Sequence, residues 1–231
     1  MPQITHPGVS HLLAYIRGMD LAKPRLRGVI HLVMSPISLV AGIVLITFAG
    51  RLEGRLTLGI FTLTAVLLFT CSALYHMIKW SPEKKAIWRR IDHSNITILI
   101  AGSYTPFATY LLEGNQRVLM LALIWGGALL TALMRIFWLN GPRWLYVGAY
   151  LALGWAAVIY LPTFYRESSL ATFLLLLAGG ILYTVGGLIY ALKKPNISIR
   201  WFGFHELFHA FTAGAFICQF IAAALLIYSK N

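Results

Sequence analysis

Seven apolar runs separated by short polar links decide what this chain can become. A helical run of about twenty apolar residues crosses roughly 30 Å of hydrocarbon at 1.5 Å per residue. No water is available at that depth, so each backbone N–H and C=O must be satisfied within its own segment, and helices meet that demand. The runs fall near residues 28–49, 56–78, 92–112, 118–138, 144–163, 170–192 and 204–228. The links between them, 50–55, 79–91, 113–117, 139–143, 164–169 and 193–203, are too short for anything but antiparallel neighbours. The expectation is an all-α integral membrane bundle of seven transmembrane helices, one domain over residues 1–231, with 1–27 as an N-terminal segment ahead of the first span.

Charge sets the orientation. Only 11% of residues are charged, where a soluble domain carries about 25%. The net charge of +12 invites a nucleic-acid reading, but the basic residues sit between apolar runs, where topology and lipid headgroups account for them. Nucleic acid is therefore excluded as a partner. Most of the 19 Lys and Arg fall on one side: Arg17, Lys23, Arg25 and Arg27, then Lys79, Lys84, Lys85, Arg89 and Arg90, then Arg135, Arg143, Lys193, Lys194 and Arg200. Arg51, Arg55, Arg117, Arg166 and Lys230 fall on the other. The positive-inside rule puts the N-terminus in the cytoplasm and the C-terminus outside, the reverse of a G-protein-coupled receptor. The polar stretch 1–23 lacks the layout of a cleavable signal peptide, so the first run reads as a retained span of a multi-pass cell-membrane protein. Cys71 and Cys218 lie inside apolar runs without a nearby partner and read as small core residues.

Four ionisable side chains interrupt the apolar pattern at one depth. His76 ends the second run, Asp92 opens the third, and His205 and His209 open the seventh. With the N-terminus inside, all four lie near the inner leaflet. Each is costly there and calls for a functional reason. His205 and His209 are four apart and share a helix face, as do Ser72 and His76. Three neutral imidazoles are the ligand set of a catalytic type of zinc site, with a fourth tetrahedral position for water whose pKa falls to about 7. Asp92 then suits the general base and is favoured at a helix start by the dipole. Ser72 can hydrogen-bond the water or a substrate carbonyl.

Other readings of these residues compete. His205-Glu206-Leu207-Phe208-His209 also matches H-E-x-x-H, in which the Glu is the base of a metalloprotease. Glu206 is thus the alternative base, although a protease of that kind needs a third ligand downstream, and equally reads as a first-turn carboxylate facing the helix N-terminus. His93 points about 100° away from Asp92. His31 reads as structural, and His6 and His11 carry little signal. Gly102-Ser103-Tyr104-Thr105-Pro106 reads as a kink with close packing, Gly179-Gly180 and Gly186-Gly187 as packing faces, and Gln219 as an interhelical hydrogen-bonding group.

Taken together, Ser72-Ala73-Leu74-Tyr75-His76, Asp92, Gly102-Ser103-Tyr104-Thr105-Pro106 and His205-Glu206-Leu207-Phe208-His209 resemble the hemolysin III family, grouped with progestin and adipoQ receptors and, more distantly, with alkaline ceramidases. The resemblance implies Zn2+ held by His76, His205 and His209, a water near Asp92 and Ser72, and N-in, C-out topology; a short N-tail and few loop insertions favour the family's bacterial branch. The expected activity is zinc-dependent hydrolysis of a lipid amide or ester bond in membrane homeostasis, with membrane lipids as the substrate class. The alternatives are a sensor with a structural zinc, a cytolytic hemolysin-like protein, and intramembrane proteolysis through Glu206.

Overall fold

Helices follow the apolar runs. The structure is a computed structural model that describes residues 24–198 and 200–230; His6, His11, Arg17 and Lys23 lie outside them. Eight α-helices are described: α1 Val29–Phe48, α2 Leu52–Met77, α3 Pro82–Leu111, α4 Gly114–Phe137, α5 Arg143–Gly154, α6 Leu161–Glu167, α7 Leu170–Leu192 and α8 Phe204–Lys230. A 3-10 turn over Ala156–Tyr160 joins α5 to α6, so the fifth run is broken, not continuous. No strand is present among the described residues, apart from an isolated bridge between Ser198 and Phe202.

Local chemistry fixes several ends. Ser81 caps α3, its hydroxyl accepting from Lys84 N–H at 3.4 Å, with Pro82 as the first helical residue. Ser169 caps α7 in the same way, accepting from Thr172 N–H at 3.1 Å. The charged stretch after Trp80 is therefore helix, not link. Asp92 sits well inside α3 instead of in its first turn, and the helix-start argument for its charge does not hold; Glu83 occupies that position.

Consecutive helices from α1 to α4 pack side by side, α7 packs along α8, and α8 returns to α1 and α3. The distribution of polarity is inverted relative to a soluble protein. Leu32, Val40, Ile43, Leu63, Leu130 and Ile181 face outward, while Ser72, Thr64, Thr97 and Thr212 are buried. An outer apolar belt with inward polar groups is what hydrocarbon as solvent demands. Six helical stretches, counting Arg143–Glu167 as one, are long and apolar enough to cross a bilayer. Pro82–Leu111 is not among them. Its polarity has a structural cause: from Asp92 to Leu111 no large hydrophobic side chain is exposed, because neighbouring helices surround it.

Small residues allow that enclosure. A Cβ on Gly102 would collide with Thr64 Oγ1 and lie 2.9 Å from Thr64 Cγ2. Gly102→Ala is expected to cost about 1–3 kcal/mol as overpacking. A second change, Thr64→Ala, removes the nearest atoms but leaves Thr64 Cβ at 2.8 Å, so thermal unfolding of the double variant should show partial recovery. Gly186 plays the same part between α7 and α8, where a Cβ would meet Phe211 Cβ at 2.9 Å.

Candidate metal centre

Two helix ends meet at the site. His76 is the next-to-last residue of α2, and His205 and His209 lie in the first turns of α8. The entry to α1 presses on the same place. Gly28 adopts φ 87°, and a Cβ there would come within 3.0 Å of His76 Cβ and 2.9 Å of Met77 Cγ, so both conformation and space require glycine. The segment before α1 is stitched to the segment before α8 by Arg25 N–H donating to Arg200 O at 3.0 Å and Leu26 N–H to Trp201 O at 3.3 Å. Glu206 anchors the start of α8: Oε2 accepts from Gly203 N–H at 2.8 Å and Oε1 accepts from Arg27 Nε at 2.7 Å.

The three imidazoles converge. One nitrogen from each of His76, His205 and His209 lies within 4.8 Å of the others, and the Nε2 atoms of His76 and His205 are 3.1 Å apart. A tetrahedral ion with nitrogen ligands at about 2.0–2.1 Å holds those nitrogens roughly 3.4 Å apart. The His76–His205 pair already has about that spacing, and no pair of the three is farther apart than 4.8 Å. His209 is 2% exposed and its Nδ1 has no hydrogen-bond partner, an unusual state for a buried polar atom. Donor type, spacing and an orphaned nitrogen all fit a metal ion.

Asp92 stands beside the cluster, Oδ2 at 3.9 Å from His76 Nε2, and is only 8% exposed. Ser72, one turn before His76 on α2 and buried, is within interaction distance of the Asp92 carboxyl. The four polar residues singled out by sequence, with Ser72, thus come together from three helices.

Several neighbours depart from their sequence reading or sharpen it. His31 stacks on His209, ring centroids 3.8 Å apart and 9° from parallel, with neither ring nitrogen hydrogen-bonded. Sequence reasoning treated it as structural; its place a few residues into α1 was the only hint of contact with the site. His93 stays out of the cluster, its Nδ1 2.7 Å from Arg89 O. Gln219 is not paired across helices: its Oε1 has no partner and the side chain lines a cavity. Cys71 and Cys218 are half-buried free thiols.

Glu206 has both carboxyl oxygens committed, one to Arg27 and one to Gly203. Its side chain is fully buried and that of Arg27 is 19% exposed. Removing one partner of a buried pair costs about 3–5 kcal/mol. Partial exposure of Arg27 puts Glu206→Gln nearer about 2–4 kcal/mol on the same scale, expected as a lowered Tm with metal still bound.

A cavity of about 90 Å³ runs from the cluster into the bundle between α3, α5, α7 and α8. Asp92, Ser72, His205 and His209 line one end, Gln219 lies toward the other, and Leu99, Ile100, Leu151 and Phe208 make its walls largely apolar. Gly154 and Trp155, at the break between α5 and the 3-10 turn, border it. A polar cluster at the foot of an apolar cavity suits an amphipathic molecule.

Residues 19–220 match the family described as Haemolysin-III related. The chain is 35% identical over 187 residues to the Hemolysin-3 homolog of Bacillus subtilis (strain 168), covering 80% of this chain and 84% of that protein. It is 29% identical over 194 residues to Hemolysin-3 of Bacillus cereus, covering 83% and 85%. It is also 25% identical over 186 residues to the Adiponectin receptor protein of Drosophila melanogaster, covering 71% of this chain and 41% of that protein. With its six apolar bilayer-length stretches, the chain is a multi-pass membrane protein and belongs to the hemolysin III family.

Proposed function

We propose that this protein is a zinc-dependent membrane hydrolase that cleaves an amide or ester bond of a lipid and so serves membrane homeostasis. The observation that carries the reading is the junction of three converging imidazoles, a buried carboxylate and an apolar cavity. His76, His205 and His209 hold the ion. When bound, zinc supplies Lewis acidity, polarising a carbonyl and lowering the pKa of a water to about 7. Asp92 accepts the proton of the attacking water and delivers it to the leaving group. Ser72 orients the Asp92 carboxyl or the substrate carbonyl through its hydroxyl. The cavity walls hold the acyl chain and exclude bulk water.

In this reading α3 is a seventh span, polar because protein surrounds it, and the N-terminus is cytoplasmic. The test is direct. Purified protein in lipid nanodiscs is offered N-acyl and O-acyl lipids, and released fatty acid is measured by mass spectrometry. Fatty acid release that stops on chelation supports the hydrolase. No release at full zinc occupancy contradicts it.

A second reading, a non-enzymatic sensor with a structural zinc, draws on the burial of His209 beneath His31. Under it, chelation lowers Tm and no lipid is turned over.

A further inference from the structure

A second concavity, lined by His76 and His205, also borders the imidazole cluster. It encloses about 540 Å³ and shares His93, Tyr150, Tyr190 and His205 with that cavity. Arg27, Lys85, Arg89, Arg135 and Arg143 line it, and no carboxylate does. Of these cations only Arg27 has a carboxylate partner among the described residues, Glu206. One cavity at the cluster is therefore greasy and the other strongly positive.

Arg135 is the informative member. Surface lysines and arginines near a membrane are expected from topology alone, but Arg135 is only 6% exposed. Its guanidinium lies 3.9 Å above the Tyr146 ring, and its Nε–H has no hydrogen-bond partner. Tyr146 is itself fixed by donating its hydroxyl to Trp138 O. Asp92 is within electrostatic reach of Arg135 but not in a salt bridge with it. Arg89 Nε is likewise buried and unpartnered, while its NH2 donates to Asn140 Oδ1 at 2.7 Å. A buried guanidinium with no carboxylate partner, lining a concavity without carboxylates, carries a desolvation cost that an anion removes. Arginine forks match the oxygens of phosphate or carboxylate better than any other side chain.

We infer that this vestibule binds an oxyanion, a phosphate group above all, with Arg135 and Arg89 as its inner donors and Lys85 and Arg143 at its rim. The inference deepens the functional reading, because it names the polar end of the molecule whose acyl chain occupies the apolar cavity. Such a ligand passes the imidazole cluster at His205, where the two cavities meet, with its chain in one and its anionic group in the other.

Dodecyl phosphate, dodecanol and inorganic phosphate are the probes, and binding is followed by calorimetry on the full chain in a neutral maltoside detergent. None contains a carboxylic ester or amide bond, so a failure of lipid hydrolysis leaves this inference standing, and the reverse also holds. Dodecyl phosphate is expected to bind saturably and at least about 10-fold more tightly than dodecanol, as a charge-assisted hydrogen bond supplies. Arg135→Gln is expected to weaken dodecyl phosphate by about 10–100-fold with bound zinc unchanged. Lys85→Gln, at an exposed position that tolerates change, is expected to weaken it about 2–5-fold through its rim charge and keeps the test open if Arg135→Gln does not fold. Metal-stripped protein is expected to bind dodecyl phosphate within about 3-fold of the native protein, a difference under 1 kcal/mol. Competition by inorganic phosphate assigns the site to any phosphate, and its absence assigns it to a lipid headgroup; either supports the inference. Equal binding of dodecanol and dodecyl phosphate overturns it. So does unchanged affinity in the folded variants, or loss of binding on metal removal, which would put the anion on the ion itself.

Discussion

Replacing His76, His205 and His209 together with Ala is expected to leave the purified protein without stoichiometric zinc. The three nitrogens lie within 4.8 Å of one another, and no other group of three or more His, Cys, Asp or Glu among the described residues has comparable geometry. His93 has its Nδ1 engaged with Arg89 O, and His31 is stacked face-on against His209, so neither can take over without moving. Even the single variant His209→Ala should lower zinc affinity by more than about 100-fold, the upper end of what losing an outer partner of a ligand costs. Metal binding and folding are linked, so the triple variant should also melt at the same temperature with or without added zinc, while the native chain gains stability on zinc addition. Elemental analysis and a thermal shift series report both effects. Equal zinc in native and triple-variant protein would place the ion elsewhere.

Asp92→Asn is expected to keep the ion and lose the chemistry. The substitution preserves volume and a hydrogen-bonding end group beside Ser72, but an amide cannot accept a proton from water. General-base catalysis contributes about 10²–10⁴-fold, and the loss of turnover should fall in that range. Asp92 stands 3.9 Å from His76 Nε2, beside the ligands and not one of them. Its removal can weaken zinc by about 10–100-fold as an outer partner, so turnover is compared at saturating zinc. Glu206→Gln makes the contrast: lower Tm, but retained turnover in the folded fraction, because Glu206 is tied to Arg27 and Gly203. Full activity of Asp92→Asn would remove Asp92 from the mechanism. Inactivity of folded Glu206→Gln would return the protease reading.

What could be read from the sequence follows from what hydropathy senses. Apolar runs marked nearly every helix, because hydrocarbon as solvent imposes length and composition together. The imidazole set was legible because ionisable groups are scarce in such runs and helical spacing fixes faces. The charged extension of α3 was not, since Glu83, Lys84, Lys85, Arg89 and Arg90 register as a link; Ser81-Pro82-Glu83 was the overlooked helix start. The break in the fifth run was similarly hidden inside unbroken hydrophobicity, with Gly154 and Pro162 as its local marks. Contacts between distant segments were beyond reach: the His31 stack on His209, the Arg27–Glu206 pair, and the burial of Arg135, which in sequence is one more basic residue at a span end.

X-ray absorption at the zinc edge of native protein in nanodiscs tests the central claim most directly, since it counts ligands by type and distance. One ion per chain with three imidazole nitrogens and one oxygen at about 2.0–2.1 Å is the expected result. A sulfur ligand at about 2.3 Å, or protein that binds no zinc at all, would contradict it.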